Sequence, residues 1–474
     1  MEPAQHPAPL PRPPILRLWF GFKDPVDRRA YLTSGFLLMA VKYGVDALLV
    51  YFTMHTIWSP LSYLNPIYSL RVAAIHNPPA WLAASMALFA LPFMWIGVTM
   101  SVRRAVDAGM SPWTGVLFMI PLVNYVIIGI LASRPSLVGA AWNPRPPGPY
   151  RDMRTAPPEV QVDGAITSAM LGVLGSTILG LGMVGISVYV LGSYGWSLFM
   201  LTPFIMGALS AFLYNRKDAR DLRATIMVAL ASCLIAGGAM MLFALEGLFC
   251  LAMAFPIAAG IAVLGAVVGR SIAIHARTSN APAHAAAMVL LLPGVATVEA
   301  KIDVPRLHEV ISTVEIDAPP EKVWNNVVGF SELPAPAEAI FRTGIAFPMR
   351  AHIEGSGVGA VRYCEFSTGP FVEPITVWEP GHRLGFDVRS QPDAMKEWSP
   401  FRAIHPPHLD ASIRSKRGEF RLFALPGGRT RLEGSTWYEL SMAPEAYWAV
   451  WSDGLIHAIH QRVLNHVKHL TESS

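Results

Sequence analysis

Charge and cysteine are what this chain has least of. Only 15% of its 474 residues are Asp, Glu, Lys or Arg, while 53% are apolar. That balance excludes disorder and leaves too little polar surface for a purely soluble protein. The three cysteines offer neither a disulfide framework nor a zinc spacing, since Cys233 and Cys250 fall in apolar runs and Cys364 in an expected strand. No Ser/His/Asp nucleophile signature is visible. Gly355-x-Gly357-x-Gly359 lacks the strand-to-helix setting of a phosphate loop and reads as a strand-entry loop. The opening MEPAQHPAPLPRPP has no apolar core of a cleavable signal, so the first membrane helix is expected to act as the insertion signal. Nothing in the sequence calls for a cofactor or a metal.

The scarce charge is unevenly placed. Before Lys301 there are 19 Lys and Arg against 12 Asp and Glu; from Lys301 on there are 18 against 21. A basic apolar part joined to a mildly acidic polar part argues against nucleic-acid binding, which would gather Lys and Arg on the soluble face. Seven runs are long and apolar enough to cross a bilayer: Tyr31–Phe52, Trp81–Val102, Trp113–Ala132, Ile166–Leu191, Ser197–Tyr214, Thr225–Ala244 and Leu248–Gly269. Glycines crowd the fourth run (Gly172, Gly175, Gly180, Gly182, Gly185) and are expected to allow close helix packing. An eighth run, Ala285–Val298, is broken by Pro293-Gly294 and reads as interfacial or buried. If Trp113–Ala132, with Pro121 in it, enters and leaves on one side, the basic residues flanking the runs all become cytoplasmic, except Arg71. The C-terminal part would then be cytoplasmic too.

Polar residues inside the runs are few. Lys42 and Asp46 sit four apart on one helix face and can neutralise each other. Glu246-Gly247 reads as a solvated turn. Phe20-Gly21-Phe22, Arg28-Arg29-x-Tyr31 and the stretch from Arg103-Arg104 through Asp107, Gly109 and Ser111 to Trp113 resemble the YhaH-like family of small bacterial inner-membrane proteins. The likeness covers about Trp19–Ser133, although the family's His is Val106 here and its Gly before Trp is Pro112. It implies a bacterial inner membrane. Arg103, Arg104 and Asp107 then mark a membrane exit, read as headgroup anchoring with a local salt bridge.

From Ile311 the pattern changes. Val314 and Ile316 alternate with Thr313, Glu315 and Asp317 as in a half-buried strand, and Ala318-Pro319-Pro320-Glu321 opens a helix faced by Val323, Trp324 and Val327. A short second helix is expected at Ala335–Phe341. Strands are expected near His352–Glu354, Ala360–Ser367, Phe371–Glu379, His382–Val388, Ser412–Leu425 and Thr430–Met442, the last two joined by a Pro426-Gly427-Gly428-Arg429 hairpin. Pro444–Thr471 ends the domain as a long helix with Trp448, Trp451, Leu455, Ile459 and Val463 in one stripe.

This order resembles the SRPBCC superfamily (START-like, polyketide cyclase/dehydrase and lipid-transport domains) over about His308–His469. The resemblance implies a helix-grip fold with a deep, mostly apolar cavity between sheet and last helix. Candidates for its lining are Arg362, Glu365, Glu373, Trp378, Trp437, Trp448, Trp451 and His460. Asp453 and His457, four apart on the last helix, form a candidate acid–base pair, with Glu373 as another candidate. A metal there would need His405 and His408 from the Pro406-Pro407 loop. The plainer reading of these histidines is a polar helix flank.

The expected fold class is therefore a polytopic α-helical membrane region followed by an α+β helix-grip domain. In order the parts are a disordered tail (1–18), the YhaH-like lobe (19–133), a Pro/Arg-rich linker (134–164), a four-helix membrane lobe (165–275), a second linker (276–306) and the soluble domain (307–471). The expected function is membrane-tethered binding of a hydrophobic ligand such as a lipid. The alternatives are a cyclase or dehydratase on an apolar substrate, or a scaffold. Expected partners are membrane lipids and a hydrophobic small molecule, with a homo-oligomer or protein partner left open.

Overall fold

The computed structural model describes residues 14–21, 26–64, 79–119, 123–136, 159–275, 281–302, 305–399 and 404–473. Residues 1–13 of the expected tail and most of the first linker lie outside these, as do Phe22, Arg71 and Pro121; the end of that tail is not disordered, since Ile15–Phe20 forms a short helix. The chain divides into two compact units. One comprises Met1–Gly180, Met200–Ile235 and Ala258–Val295; the other Leu181–Phe199, Ala236–Ile257 and Ala296–Ser474.

The apolar runs fold as long helices: α1 (Arg28–Met54), α2 (Ala80–Asp107), α3 (Val123–Ser133), α4 (Glu159–Val184), α5 (Thr202–Asn215), α6 (Leu222–Leu242), α7 (Leu248–His275) and α8 (Ala281–Ile302). Among the described residues six helical segments are long and apolar enough to cross a membrane. Two expectations change here. Trp113–Ala132 is not one helix: Pro112–Val116 and a tight turn at Leu117–Met119 precede α3, which has only 11 residues. At about 1.5 Å per residue that is too short to span. Conversely α8 runs through Pro293 as 22 residues, and Pro282–Ile302 qualifies as a span. A proline can be accommodated in an apolar helix whose neighbours re-satisfy the freed carbonyl, so Pro293-Gly294 is no terminator.

Within the first unit, Asp27 caps α1 by accepting from the Ala30 N–H at 2.6 Å. Lys42 pairs with Asp46 as their spacing requires, and the Tyr63 hydroxyl also donates to Asp46. Arg103 and Arg104 are fully buried, which corrects the headgroup-anchor reading. Arg103 Nε donates to the Thr99 carbonyl at 3.2 Å and its terminal nitrogen to Leu18; Arg104 Nε donates to Leu131 at 3.0 Å, with Asp107 and the Arg134 carbonyl completing its set. A guanidinium carries five donors, and here they tie α2 to separate chain segments. Close helix packing falls mainly on other glycines than those expected. A Cβ at Gly207, Gly265 or Gly269 would stand 2.0 Å from a carbonyl oxygen of the facing helix, whereas Gly182 and Gly185 face open space.

The second unit carries the sheet. β1 (Arg306–Ile316), β2 (Pro348–Glu354), β3 (Val361–Phe366), β4 (Gly369–Glu379), β5 (Arg383–Asp387), β6 (Ile413–Leu425) and β7 (Arg429–Leu440) form one antiparallel sheet in the order β1-β7-β6-β5-β4-β3-β2. Helix α9 (Pro320–Val328) follows β1, and α10 (Glu445–Glu472) closes the domain, packing on β1 and β7. The expected second helix is only a tight turn at Ala339–Thr343. The β6–β7 hairpin turns on Gly427 and Gly428, whose φ of 84° and 72° lie in the region that only glycine enters without strain. Leu384, Leu432, Leu464 and Val467 are fully enclosed in the core between sheet and α10. This is the helix-grip architecture.

The same unit includes the ends of several membrane helices. Glu299, near the end of α8, accepts the backbone N–H groups of Trp196 and Ser197, the second at 2.9 Å. Hydrogen bonds to a charged group contribute roughly 1.5–3 kcal/mol each. Glu299→Ala is therefore expected to lower the midpoint of thermal unfolding by several degrees, measured on the detergent-solubilised protein, whereas Glu299→Gln recovers part of the loss.

Candidate ligand cavity

Strand alternation decides what faces α10. In β3 every second residue is buried, so Arg362, Cys364 and Phe366 point inward while Tyr363 and Glu365 point out. Register sets Arg362 directly opposite Glu373 of β4, and their side chains form a buried ion pair. Three phenyl rings enclose the guanidinium: its carbon lies 5.6, 5.3 and 5.6 Å from the centroids of Phe330, Phe386 and Phe420. Burial pushes the Glu373 carboxyl above its ordinary range, against the pull of Arg362. Arg362 Nε is buried and has no hydrogen-bond partner.

Beside this pair lies a cavity of about 110 Å³, bounded by Phe366, Phe371, Phe386 and Phe420 from the sheet and by Ile456, Ile459, His460 and Val463 from α10. Arg362, Glu373, Glu419 and Thr436 supply polar atoms to its wall. Its lining is mainly apolar, as the resemblance implied, but it is smaller than the deep volume expected. Sites for drug-sized ligands hold roughly 300–1,000 Å³, while about 150 Å³ is enough for benzene. The difference comes from side chains that alternation places inside but whose bulk a pattern does not measure.

His460 is held at both nitrogens. Its Nε2 is 2.7 Å from the Thr436 hydroxyl and its Nδ1 is 3.1 Å from the Ser312 hydroxyl, which also meets His457 Nδ1 at 2.8 Å. Burial, reinforced by His457, brings the His460 pKa down to about 4. The imidazole is therefore neutral near pH 7.

The sequence-derived candidates divide by position. Arg362, Glu373 and His460 line the cavity. Glu365 faces outward, accepting from Arg350 Nε at 2.8 Å. Trp378 makes an edge contact with Trp324 at 5.5 Å, and Trp437 lies under the Arg417 guanidinium at 3.8 Å. Trp448 is buried against Tyr447 and Phe199, and Trp451 is 38% exposed. Asp453 accepts the Tyr438 hydroxyl at 2.6 Å while His457 turns to Ser312, so each of the acid–base pair has another partner. His405 is exposed between Asp393 and Asp410, separate from His408. Ser312, Thr436 and the four phenylalanines were not among the candidates. Strand periodicity marks Ser312, two residues from Val310 and Val314 on the inward face, but a lone serine carries no chemical signature.

No family model matches the chain, and no curated protein matches it, so the YhaH-like resemblance rests only on the residues that carry it. Among solved structures the chain is similar to the Zhui aromatase/cyclase from Streptomyces sp. R1128, at 16% identity over 35% of this chain and 94% of that one, with a TM-score of 0.23. Truncated norcoclaurine synthase from Thalictrum flavum matches at 14% identity over 34% and 94%, TM-score 0.22. The protein XoxI from Bacillus cereus matches at 15% identity over 35% and 95%, TM-score 0.23.

The neutral His460 fixes a pH dependence. Its folded pKa lies below the ordinary 6.5, so the unfolded chain takes up the proton first and stability falls as pH drops from about 6.5 towards about 4. Full protonation of this one group costs on the order of 3 kcal/mol. Denaturant unfolding followed by tryptophan fluorescence should show that loss in the native protein and a flatter profile in His460→Gln.

Proposed function

We propose that this membrane protein uses its helix-grip domain to bind a small, largely apolar ligand bearing a hydrogen-bond acceptor. The observation that carries this reading is the unpartnered Nε of Arg362 beside an aromatic cavity of about 110 Å³. A buried donor without a partner costs about 1–3 kcal/mol, a cost that a bound acceptor oxygen removes. The Phe366, Phe371, Phe386 and Phe420 rings supply the apolar contact. A cavity of about 110 Å³ suits a short chain or part of a ring and is too small to enclose a whole membrane lipid. Tethering keeps the site beside the phase in which an apolar ligand concentrates.

The parity of the candidate crossings supports an inference about the side of the membrane. Counting Pro282–Ile302 as a span adds one crossing to the chain between Arg270 and the helix-grip domain. Contacts within the second unit agree with strict alternation. The α4–α5 connection reaches the domain through the Ala443 N–H to the Tyr194 carbonyl at 2.9 Å, and the α6–α7 turn through the Leu248 N–H to the Trp398 carbonyl at 2.9 Å. With Arg216, Lys217, Arg220, Arg223 and Arg270 retained in the cytoplasm and Trp113–Ala132 entering and leaving on one face, the domain lies outside the cytoplasm. This proposal differs from the cytoplasmic placement expected from sequence.

Two measurements test these readings. Native mass spectrometry of the purified protein should reveal a bound small molecule, and Gly434→Val, which projects into the cavity wall, should abolish its retention at a stability cost of about 1–3 kcal/mol. A well-folded wild type that carries no ligand and takes up none of a panel of small aromatic acids overturns the binding proposal. Separately, a single cysteine introduced at exposed Thr313 should react with a membrane-impermeant maleimide in intact cells. Labelling only after lysis overturns the extracytoplasmic placement.

A further inference from the structure

The turn between α6 and α7 was expected to be solvated, yet Glu246 is buried. Its neighbour Gly247 is packed so closely on Glu397 that a Cβ would stand 1.9 Å from the Glu397 Oε2. Around this contact four chain segments converge. They contribute Tyr194, Glu246 with Cys250, Met395 with Glu397, and His408. All lie within the second unit.

The donor atoms share one point of convergence. Cys250 Sγ lies 3.1 Å from His408 Nε2 and 2.5 Å from Glu397 Oε1, and His408 Nε2 lies 3.7 Å from the same carboxylate oxygen. Around a zinc-sized ion, with bonds of about 2.0–2.3 Å, tetrahedral ligand atoms sit roughly 3.3–3.7 Å apart. Two of the three edges are close to that, and the third needs the Glu397 carboxylate to back away from sulfur. The Met395 thioether is 3.9 Å from Cys250 Sγ, within reach as a further soft donor.

The other face of the imidazole is equally specific. His408 Nδ1 lies 3.3 Å from Glu246 Oε2, and the second oxygen of Glu246 is 3.5 Å from the Tyr194 hydroxyl. A carboxylate on one ring nitrogen leaves the other as the coordinating atom, the usual support of a metal-bound histidine. An independent sign of a missing ligand is the Glu397 side chain itself. It is wholly unexposed, its Oε2 has no hydrogen-bond partner among the described residues, and Oε1 meets the weak S–H donor of Cys250 and, at 3.7 Å, His408 Nε2.

The order Cys250, His408, Glu246 also has the form of a thiol nucleophile with base and orienting acid. Enclosure argues against that use: the His408 and Glu397 side chains are 11% and 0% exposed, and the cavity beside Arg362 does not reach them. A carboxylate on the thiol would also oppose thiolate formation unless a cation lay between them.

We propose that Cys250 Sγ, His408 Nε2 and Glu397 bind a divalent transition metal of the zinc class, with Glu246 as the positioning residue for His408. On binding, the ion displaces the Cys250 thiol proton, and any proton on His408 Nε2, to solvent. The Nδ1–H stays on His408, facing the Glu246 carboxylate. The ion would clasp the α6–α7 turn to the loops that follow β5, and it is independent of the ligand cavity.

The test uses the full-length protein in detergent, stripped with chelator and titrated with Co2+. Wild type should show a near-ultraviolet thiolate-to-cobalt band that saturates stoichiometrically. Cys250→Ser should lose the band, Cys364→Ser should keep it, and Glu246→Gln should keep it with about 10–100-fold weaker affinity. Where a variant fails to fold, the native protein supplies the check, since Zn2+ should raise its unfolding midpoint and chelator should reverse the rise. Absence of the cobalt band in folded wild type, its persistence in folded Cys250→Ser, or an unfolding midpoint that ignores Zn2+ overturns the proposal and leaves a hydrogen-bonded imidazole between two carboxylates.

Discussion

A guanidinium enclosed by three phenyl rings has few places to put its charge, and in this domain it has one. Arg362 reaches Glu373 across neighbouring strands. Replacing both with apolar groups of the same shape can be tolerated, but removing one partner of such a buried pair typically costs about 3–5 kcal/mol. The pair therefore pins the pairing of β3 with β4. A slip by one residue would bring Tyr363 and Glu365 inward, place a second carboxylate in the core and turn Arg362 towards water. It also contributes to the character of the cavity, which is aromatic on most sides and carries an ion pair at one point.

The same constraint operates in the other unit by different means. Arg103 and Arg104 are as buried as Arg362, but here Asp107 pairs with Arg104 while main-chain carbonyls of Leu18, Thr99, Leu131 and Arg134 accept from the two guanidiniums. Carbonyls suit such a place because each helix end leaves some of them free. Arg103 and Arg104 thereby join segments far apart in sequence, a role that an exposed anchor could not fill.

Much of the helix-grip domain was legible because strands repeat every two residues and the last helix every three or four. The β6–β7 hairpin could be placed from Pro426-Gly427-Gly428-Arg429 alone, and Arg362, Glu373 and His460 were found among polar residues on inward faces. Tryptophan misled, because size and apolarity do not say which way a side chain points: Trp437 sits on the outer face of β7 under Arg417. Helix α8 was obscured by Pro293, whose effect depends on neighbours that a linear pattern does not contain. The Cys250–His408–Glu397 cluster was illegible for the same reason in stronger form. Cys250 and His408 are separated by 158 positions, and Glu246 looked like the tip of a turn.

Gly207, Gly265 and Gly269 bring α5 and α7 together through main chain, with no side chain between them. Where two helices touch in this way there is no lumen: neither a file of water nor a lipid tail can pass between them. Any solute moved by these helices would have to travel along another seam.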